Sequence, residues 1–347
     1  MKKYFSTAIC AKGYLSAYNT AYKNDPTARV FLINGGDDYE RAIFFERLVK
    51  NLRGYNITLF NPFYDESTDG IYIENLNAYI LSDGGYNRIS PILSGIWEKP
   101  FSVVSNKDYP LDLRREVLTL KAKENNKYKN ACETLKKASR IREKIHGEVA
   151  DFLNDDKLIN YINRFCSRYL RSAKKKSHNK IGLLSSFTPL GLHTHYNTLF
   201  EHTEKNIEFN DDSGFAGSVF LGVLKDWAFR EKVPMIISPA YFSSDIPHIM
   251  IFPTIDLSVI VTDKNHPLPF SPAEKISATR FFDVSNALAN EKINALVSIE
   301  NKLFDTAVSS LFEGRDYRFK NNDLVKGYSN TDEAIENADK LCEKLMI

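Results

Sequence analysis

The sequence predicts an α/β protein built from two similar units in tandem. Apolar strand-like runs alternate with helix-like segments along the chain, which is typical of α/β proteins. A short motif also returns: GYLSAYNTAY at 13–22 and GLHTHYNTLF at 191–200 share a glycine, a YNT triplet and a closing aromatic residue. Strand–helix–strand alternation predicts right-handed crossovers and a mostly parallel sheet in each unit.

The elements follow one another in the same order in both halves. Each motif precedes an apolar strand, a turn and a helix-like segment, which spans 40–53 in the first half and 217–232 in the second. A second strand then ends at a proline, and a further apolar segment ends at an aspartate. The paired segments are ARVFLIN and NIEFN, NITLFNP and VPMIISP, and IYIENLNAYILSD and IMIFPTIDLSVIVTD.

Each half closes with a long helical region. Apolar residues step by three and four from Ala131 to Phe152, and again from Ile293 to Leu311, where Glu300 is charged on the same face. The basic run at 171–180 separates the halves, and we expect it to be a solvated linker rather than a phosphate or nucleic-acid patch. The predicted domains are therefore residues 1–170 and 181–347, each with a helical extension.

Composition narrows the classes of function. The chain has 347 residues, is 43% hydrophobic, and carries a formal net charge of only +2, so no overall field favours nucleic acid or a membrane surface. No apolar run reaches the length of a membrane-spanning helix, and the N-terminus lacks the apolar core of a signal peptide. We expect a cytoplasmic protein whose partner is another protein.

The stretch INGGDDYERAIFF at 33–45 places two glycines between a strand and a helix start. This is the layout of a phosphate-binding loop, in which backbone N–H groups and a helix N-terminus hold the phosphates. A working loop also needs a lysine for the terminal phosphates and a Ser or Thr hydroxyl for Mg²⁺, and no Gly-Lys-Ser/Thr closes this one.

Nearly the whole chain resembles a bacterial family of tandem P-loop ATPase-like proteins, whose loops read GGxGTGKST in the first copy and GxPGTGKST in the second. The resemblance includes Asp69-Gly70 after the second strand and helices of the type NACETLKKASRIREKIHGEVADFLNDD. It implies two tandem P-loop NTPase-like three-layer domains, each with a helical extension. Where the family carries a Pro-His pair, this chain has Tyr86-Asn87-Arg88.

Matched to the family's first loop, Gly35 and Gly36 are retained, Arg41 stands at the lysine and Ala42 at the Mg²⁺-binding hydroxyl. The resemblance makes Gly35, Gly36 and Arg41 the vestigial nucleotide-binding residues of this loop.

In the second loop Gly214 and Ser218 are retained, and Gly217 stands at the lysine. The resemblance makes these three the vestigial nucleotide-binding residues of the second loop. The resemblance also makes Asp83 and Asp263, which end apolar segments, the vestigial metal-shell aspartates. Strand-end aspartates are ordinary turn residues as well.

Both loops are acidic, with Asp37, Asp38 and Glu40 in the first and Asp211 and Asp212 in the second. A carboxylate about 4 Å from a phosphate charge costs about 4 kcal/mol at an effective dielectric constant of 20. We therefore expect neither loop to hydrolyse a nucleoside triphosphate. The alternative interpretation is a structural turn, in which acidic residues at the helix N-terminus stabilise the helix by interacting favourably with its dipole.

The sequence favours a non-catalytic ATPase-like protein that acts as a binding or scaffold protein, with an intact paralogue as one candidate partner. Two alternatives remain open: a weak ATPase that uses Arg41 with Asp83, and a helix-mediated interaction module. No catalytic residue and no cofactor is expected, and ATP and Mg²⁺ would bind only if a site survives. His193 and His195 form an H-x-H pair that could bind zinc, but such pairs are more often surface residues.

Overall fold

The computed structural model describes residues 1–23, 25–87, 89–105, 109–171, 180–241, 243–283 and 287–346. Residues 172–179, the body of the predicted linker, lie outside this range. Within it, no helix is both long and apolar enough to span a bilayer.

The first half forms a six-stranded sheet and a β-hairpin. Its strands are β1 (Lys2–Phe5), β2 (Thr7–Cys10), β3 (Gly13–Ser16), β4 (Arg29–Asn34), β5 (Ile57–Asn61), β6 (Gly70–Ile73), β7 (Ala78–Ser82) and β8 (Glu98–Ser102). Its helices are α1 (Tyr18–Ala21), α2 (Asp38–Asn51), α3 (Leu111–Ala150) and α4 (Asp155–Tyr169).

The second half repeats this set of elements. Its strands are β9 (Lys180–Ile181), β10 (Ser185–Thr188), β11 (Gly191–Thr194), β12 (Lys205–Asn210), β13 (Ile236–Ala240), β14 (Ser243–Phe252), β15 (Leu257–Thr262) and β16 (Glu274–Ser277). Its helices are α5 (Tyr196–Phe200), α6 (Phe215–Arg230), α7 (Ala287–Lys326) and α8 (Thr331–Met346).

The two sheets have the same topology. The strand order is β1-β5-β6-β7-β4-β8 in the first and β9-β13-β14-β15-β12-β16 in the second. In both, the third strand is antiparallel to its two neighbours and the other ladders are parallel. The α/β class is confirmed, and each sheet is mixed, with three parallel and two antiparallel ladders.

The antiparallel strand arises where the sequence was read as one continuous apolar segment. In each half a short 3₁₀ turn divides that segment into two strands, and the turn ends at Asn77 in the first half and Asp256 in the second. Both residues are left-handed, with φ of 45° and 56°, a conformation that Asn and Asp tolerate better than most residues. The chain therefore reverses direction at these two positions.

The helices that cover each sheet come partly from the opposite half. Leu158, Ile162 and Phe165 of α4 belong to the apolar core of the second sheet. Residues of α8 belong to the core of the first sheet, and Asp339 of α8 accepts hydrogen bonds from Arg47 Nε at 2.7 Å and Nη2 at 2.9 Å. The two helical extensions are thus exchanged between the halves.

The long helices α3 and α7 pack antiparallel along each other. Glu148 pairs with Lys292 at 2.6 Å near one end, and Lys127 pairs with Glu313 toward the other. The predicted apolar faces meet in this contact, where Ala131, Leu135, Ala307 and Leu311 are buried. At 40 residues each, the helices are about 60 Å long and lie across both halves.

Candidate functional site

The first loop has the predicted strand–glycine turn–helix geometry. Gly35 and Gly36 follow β4 with φ of 71° and 68°, which is the left-handed region that favours glycine. A Cβ atom on Gly35 would lie 2.8 Å from Ser102 Oγ, so the loop also needs glycine for close packing against the end of β8. Helix α2 then begins at Asp38.

The N–H groups at the start of α2 are occupied by carboxylates of the loop itself. Asp37 Oδ1 accepts from Glu40 N, and Glu40 Oε2 accepts from Asp37 N, both at 2.9 Å, which is a capping box. Glu40 is fully buried and also accepts from Asn330 N, while Asp37 Oδ2 accepts from Ser329 Oγ at 2.7 Å. The acidic residues therefore cap the helix and dock the connection between α7 and α8.

Arg41, at the lysine position, folds back onto the loop. Its Nη1 donates to Gly35 O at 3.4 Å and Gly36 O at 3.1 Å, and its Nη2 donates to Asp38 Oδ1 at 2.5 Å. These contacts direct the guanidinium to partners inside the loop.

An arginine from the second half reaches the first loop. Arg318 of α7 is buried, pairs with Asp38 Oδ2 at 2.8 Å and Glu124 Oε1 at 3.2 Å, and lies 3.8 Å from the centre of the Tyr64 ring. Lys121 completes the network by pairing with Glu124 at 2.9 Å. Burial alone would raise the pKa of Asp38, but the charges of the surrounding cations outweigh it and lower the pKa to about 2.

The second loop is also held by an internal carboxylate. Asp211 Oδ1 accepts from Ser213 N at 3.0 Å and Ser213 Oγ at 2.6 Å, and Oδ2 accepts from Gly217 N at 2.9 Å. Asp211 is buried, and this burial raises the pKa of its carboxyl group. A backbone N–H at the helix start is again satisfied from within the chain.

The three residues matched to the family in the second loop have structural contacts. Gly214 is left-handed, at φ of 70°, and Ser218 Oγ donates to its carbonyl oxygen at 2.6 Å. Gly217 faces the sheet, where a Cβ atom would lie 2.7 Å from Val261 Cγ1. Gly217, at the lysine position of this loop, therefore lies where the helix packs too closely on the strand to leave room for a side chain.

A second arginine mirrors Arg318. Arg142 of α3 donates to Ser213 O at 3.1 Å in the second loop and makes a two-pronged pair with Glu300 of α7, at 2.7 and 2.6 Å. The two arginines, Arg142 and Arg318, are 176 residues apart in the sequence. The same separation holds for the two glutamates, Glu124 and Glu300. Each long helix thus contributes an arginine that contacts the loop of the opposite half. It also contributes a glutamate that pairs with the arginine of the other long helix.

Sequence reasoning missed this exchange. In the sequence, Glu300 stands out as a charge on an apolar helix face. The two loops, from Gly35 to Asp211, are also 176 residues apart, and a comparison of the two long helices at this offset would have paired Glu300 with Glu124. Nothing local indicates which arginine each glutamate meets.

Asp83 and Asp263 are not equivalent. An isolated β-bridge between Gly84 and Asn87 closes a turn in the first half, and one between Asp263 and His266 closes the corresponding turn in the second. The structural counterpart of Asp263 is therefore Gly84. Asp83 Oδ1 accepts from Ile89 N at 3.2 Å.

Asp263 instead binds its own turn. It accepts from the backbone N–H groups of Asn265 and His266 at 2.8 and 2.9 Å. Burial raises the pKa of Asp263, but its contacts with His266 outweigh this and lower the pKa to about 2. Asp263 therefore holds its own turn, and it also lines a small pocket with Asp211, Gly214 and Ser218 of the second loop.

The histidine pair offers little to a metal ion. The rings of His193 and His195 are 5.0 Å apart, and the His195 ring packs on Phe5 at 4.4 Å. Burial, with the neighbouring His193, lowers the pKa of His195 to about 3. Within the described part of the chain, no three His, Cys, Asp or Glu side chains are grouped to hold a metal.

Each loop borders a cleft beneath the long helices. The first cleft measures about 570 Å³ and is lined by the loop, residues 64–69, Gly84–Gly85, and parts of α3 and α7. The second measures about 250 Å³, and Val297 takes the place that Lys121 has in the first. The first cleft is lined mainly by polar and charged side chains, whereas the second also has an apolar part formed by Val149, Phe152, Phe282, Ile293 and Val297.

No family model, no curated protein and no solved structure matches this chain significantly. The resemblance to tandem P-loop proteins stays a prediction.

Proposed function

We propose that this chain is a non-catalytic protein on a duplicated P-loop ATPase-like plan, acting as a binding or scaffold protein. The observation that carries the proposal is the occupation of both loops from within. Glu40 and Asp211 take backbone N–H groups at the two helix starts. A phosphate in either place would have to displace a buried carboxylate or lie beside it.

The matching topology of the two sheets supports the duplication in this proposal. Strand order, strand direction, the hairpin and the exchanged helix all recur in the second half. The Arg–Glu pairs at a common offset extend the correspondence to the long helices. Two copies of one ancestral unit account for all of these features together.

The rival reading is a weak ATPase at the first loop. It requires Arg41 to leave Asp38 and two backbone carbonyls, and Asp83 to reach a metal. A hydrogen bond to a charged group contributes about 1.5–3 kcal/mol, and nucleotide binding would have to offset the loss of these contacts.

The proposal is tested by titrating the whole protein with ATP and GTP to millimolar concentration by calorimetry, with and without Mg²⁺. We expect no heat of binding. Micromolar affinity that disappears in Arg41→Ala would overturn the proposal in favour of the ATPase.

A second candidate function, a helix-mediated interaction module, is favoured by the outer face of α7. Phe312 and Phe319 are 44% and 46% exposed, and the guanidinium of Arg315 lies over both rings, at 4.8 and 5.6 Å. Aromatic residues and arginine are enriched at protein interfaces. In a capture experiment, the double variant Phe312→Ser/Phe319→Ser should lose a partner that the single variant Phe229→Ser, at another exposed phenylalanine, retains.

A further inference from the structure

Helix α4 carries an unbalanced charge on its exposed side. From Lys157 to Lys180 the sequence has eight lysine or arginine residues and no aspartate or glutamate, in a chain whose formal net charge is only +2. Three of these cations, Lys157, Arg164 and Arg168, lie on α4 and are exposed. A nearly neutral protein therefore has a locally positive surface at this helix.

The three cations form one stripe along α4. They are separated by seven and four residues, so at 3.6 residues per turn they lie within about 20° of one another around the helix axis on either side of Lys157. The stripe is about 16 Å long. The apolar side of α4 belongs to the core of the second sheet, so the stripe faces away from that sheet.

The charges of the stripe are not neutralised by the described residues. None of its three cations forms an ion pair there. Arg164 Nε donates to Asn160 O at 3.3 Å, and the guanidinium of Arg168 lies over the Tyr169 ring. Glu274, which lies beside α4, accepts a hydrogen bond from Tyr169 Oη at 2.6 Å. The stripe therefore presents cations that an anionic partner can bind.

The corresponding helix of the first half, α8, has the opposite charge. At the 176-residue offset the three cations become Glu333, Lys340 and Lys344, and Lys340 is paired with Glu336 at 2.6 Å. From 333 to 344, α8 has four acidic residues and two basic ones. A helix in this position therefore does not need a basic stripe in order to pack on its sheet.

Single-stranded nucleic acid is one anionic partner, and its bases stack on open aromatic rings. The two aromatic rings beside the stripe are covered by cations of the protein itself. Arg168 and Lys205 lie over the Tyr169 ring, at 4.8 and 4.4 Å, and Arg280 lies 5.0 Å from the centre of the Tyr161 ring. These rings are therefore not open to a stacking base.

An anionic membrane surface is a second partner to consider. Helices that bind a bilayer insert large apolar side chains beside their cations. Helix α4, which the structure describes in full, has no exposed large apolar side chain. The stripe therefore has charges for a membrane surface but nothing to insert into it.

The carboxylates of a protein segment fit the stripe better. A guanidinium group binds a carboxylate through two parallel hydrogen bonds, and two of the three cations are arginines. Arg164 and Arg168 are one helical turn apart, about 6 Å along the axis. Acidic residues three or four positions apart on a partner helix repeat at the same interval.

From these observations we infer that the exposed stripe of α4 docks an acidic segment of a partner protein, in which glutamates or aspartates recur at helical spacing. The inference rests on the proposed function as a binding protein and deepens it, because it names a surface and the chemistry of the partner.

The test is fluorescence anisotropy of the whole protein with a fluorescein-labelled peptide of ten glutamates. We expect this decaglutamate to bind, and to bind more weakly as the salt concentration rises. Arg164→Gln/Arg168→Gln should weaken the binding about tenfold, because it removes two of the three cations. Both side chains are exposed, so we expect an unchanged thermal melt.

The matched control is Lys340→Gln/Lys344→Gln, which removes the same charge from the corresponding positions of α8. It should leave the affinity for decaglutamate unchanged. Equal losses in the two double variants would mean attraction to the whole protein rather than to the stripe, and would overturn the inference.

Two further probes distinguish the classes of partner. Labelled decauridylate and phosphatidylserine vesicles should bind more weakly than decaglutamate. Tighter binding of either one, if it is lost in Arg164→Gln/Arg168→Gln, would overturn the inference in favour of nucleic acid or of a membrane surface.

The outcome is separate from that of the nucleotide titration. Absence of decaglutamate binding overturns this inference alone. Binding of ATP overturns the proposed non-catalytic function and leaves the docking surface in place.

Discussion

The two loops solve one structural problem with different residues. In the first, the arginine from the opposite half meets Asp38 and Glu124, and Asp38 is shared with Arg41. In the second, the position of Asp38 is Gly214, so Arg142 meets a backbone carbonyl and has Glu300 as its carboxylate partner. The first arrangement links two carboxylates to three cations, and in the second Arg142 and Glu300 form a two-pronged pair.

This difference shows that two loops in the same order of elements can be held by different sets of side chains. The order of helices and strands and the pairing of an arginine with a glutamate are shared, whereas the side chains around the loops differ. A network spreads the loss of one member over several partners, whereas a pair cannot. Variants that remove single members therefore distinguish the two halves.

The largest effect is expected from Arg142→Met. Glu300 is 1% exposed, and removing the partner of a buried ion pair costs about 3–5 kcal/mol. Arg318→Met should cost less, because Asp38 keeps Arg41 and Glu124 keeps Lys121. Urea unfolding measures both, with Arg140→Met at an exposed position of the same helix as the control. Equal losses in the two variants would remove the distinction between pair and network.

A pH series sharpens the comparison. His146, beside the second loop, has its pKa lowered to about 4 by burial and by Arg142, whereas its counterpart at the 176-residue offset, Asn322, does not titrate. The unfolded state binds the proton first, so stability is complete above about pH 6.5 and falls between pH 6.5 and 4. The loss is on the order of 3 kcal/mol.

The sequence provides a fluorescent probe for each half, Trp97 in the first and Trp227 in the second. With Trp97→Phe, Trp227 reports urea unfolding of the second half at pH 7 and pH 4.5. His146→Gln should reduce the difference between the two midpoints. An unchanged difference would place the acid sensitivity in other groups.

A smaller effect is expected from Gly217→Ala. The added Cβ would lie 2.7 Å from Val261 Cγ1, and such overpacking costs about 1–3 kcal/mol. Gly222 lies in the same helix with open space around its Cβ position, so Gly222→Ala should stabilise by about 0.5–1 kcal/mol. Thermal melts of the two variants should move in opposite directions. A gain in both would mean that the α6–β15 contact is loose.

The smallest effect is expected from Asp37→Ala, which removes the cap of α2 and the contact with Ser329. Loss of an N-cap costs about 0.5–2 kcal/mol. Asp37→Asn retains a capping oxygen and should recover most of the stability in urea unfolding. Full loss in both variants would show that the charge, rather than the cap, matters.

Much of the local structure follows from the sequence. The turn at Gly35–Gly36, the start of α2 and the apolar faces of α3 and α7 are encoded by glycine, by acidic capping residues and by helical periodicity. The division of one apolar segment into β6 and β7 was not foreseen, because Asn77 gives only a weak signal for a reversal inside an apolar run. The pairing of Asp83 with Asp263 was wrong because Asp83 precedes its bridged turn by one residue, whereas Asp263 is the first residue of its own turn.

The sequence by itself determined the α/β class, the repeated order of elements and the absence of a loop lysine, because these depend on neighbouring residues and on short periods. Tertiary structure alone decided that α4 and α8 change sheets and that Arg142 and Arg318 cross to the opposite loops. These contacts join residues 158 and 194 positions apart, for Arg142–Glu300 and Arg318–Glu124. No local pattern specifies such a pairing, which is set by the packing of the two long helices across both halves.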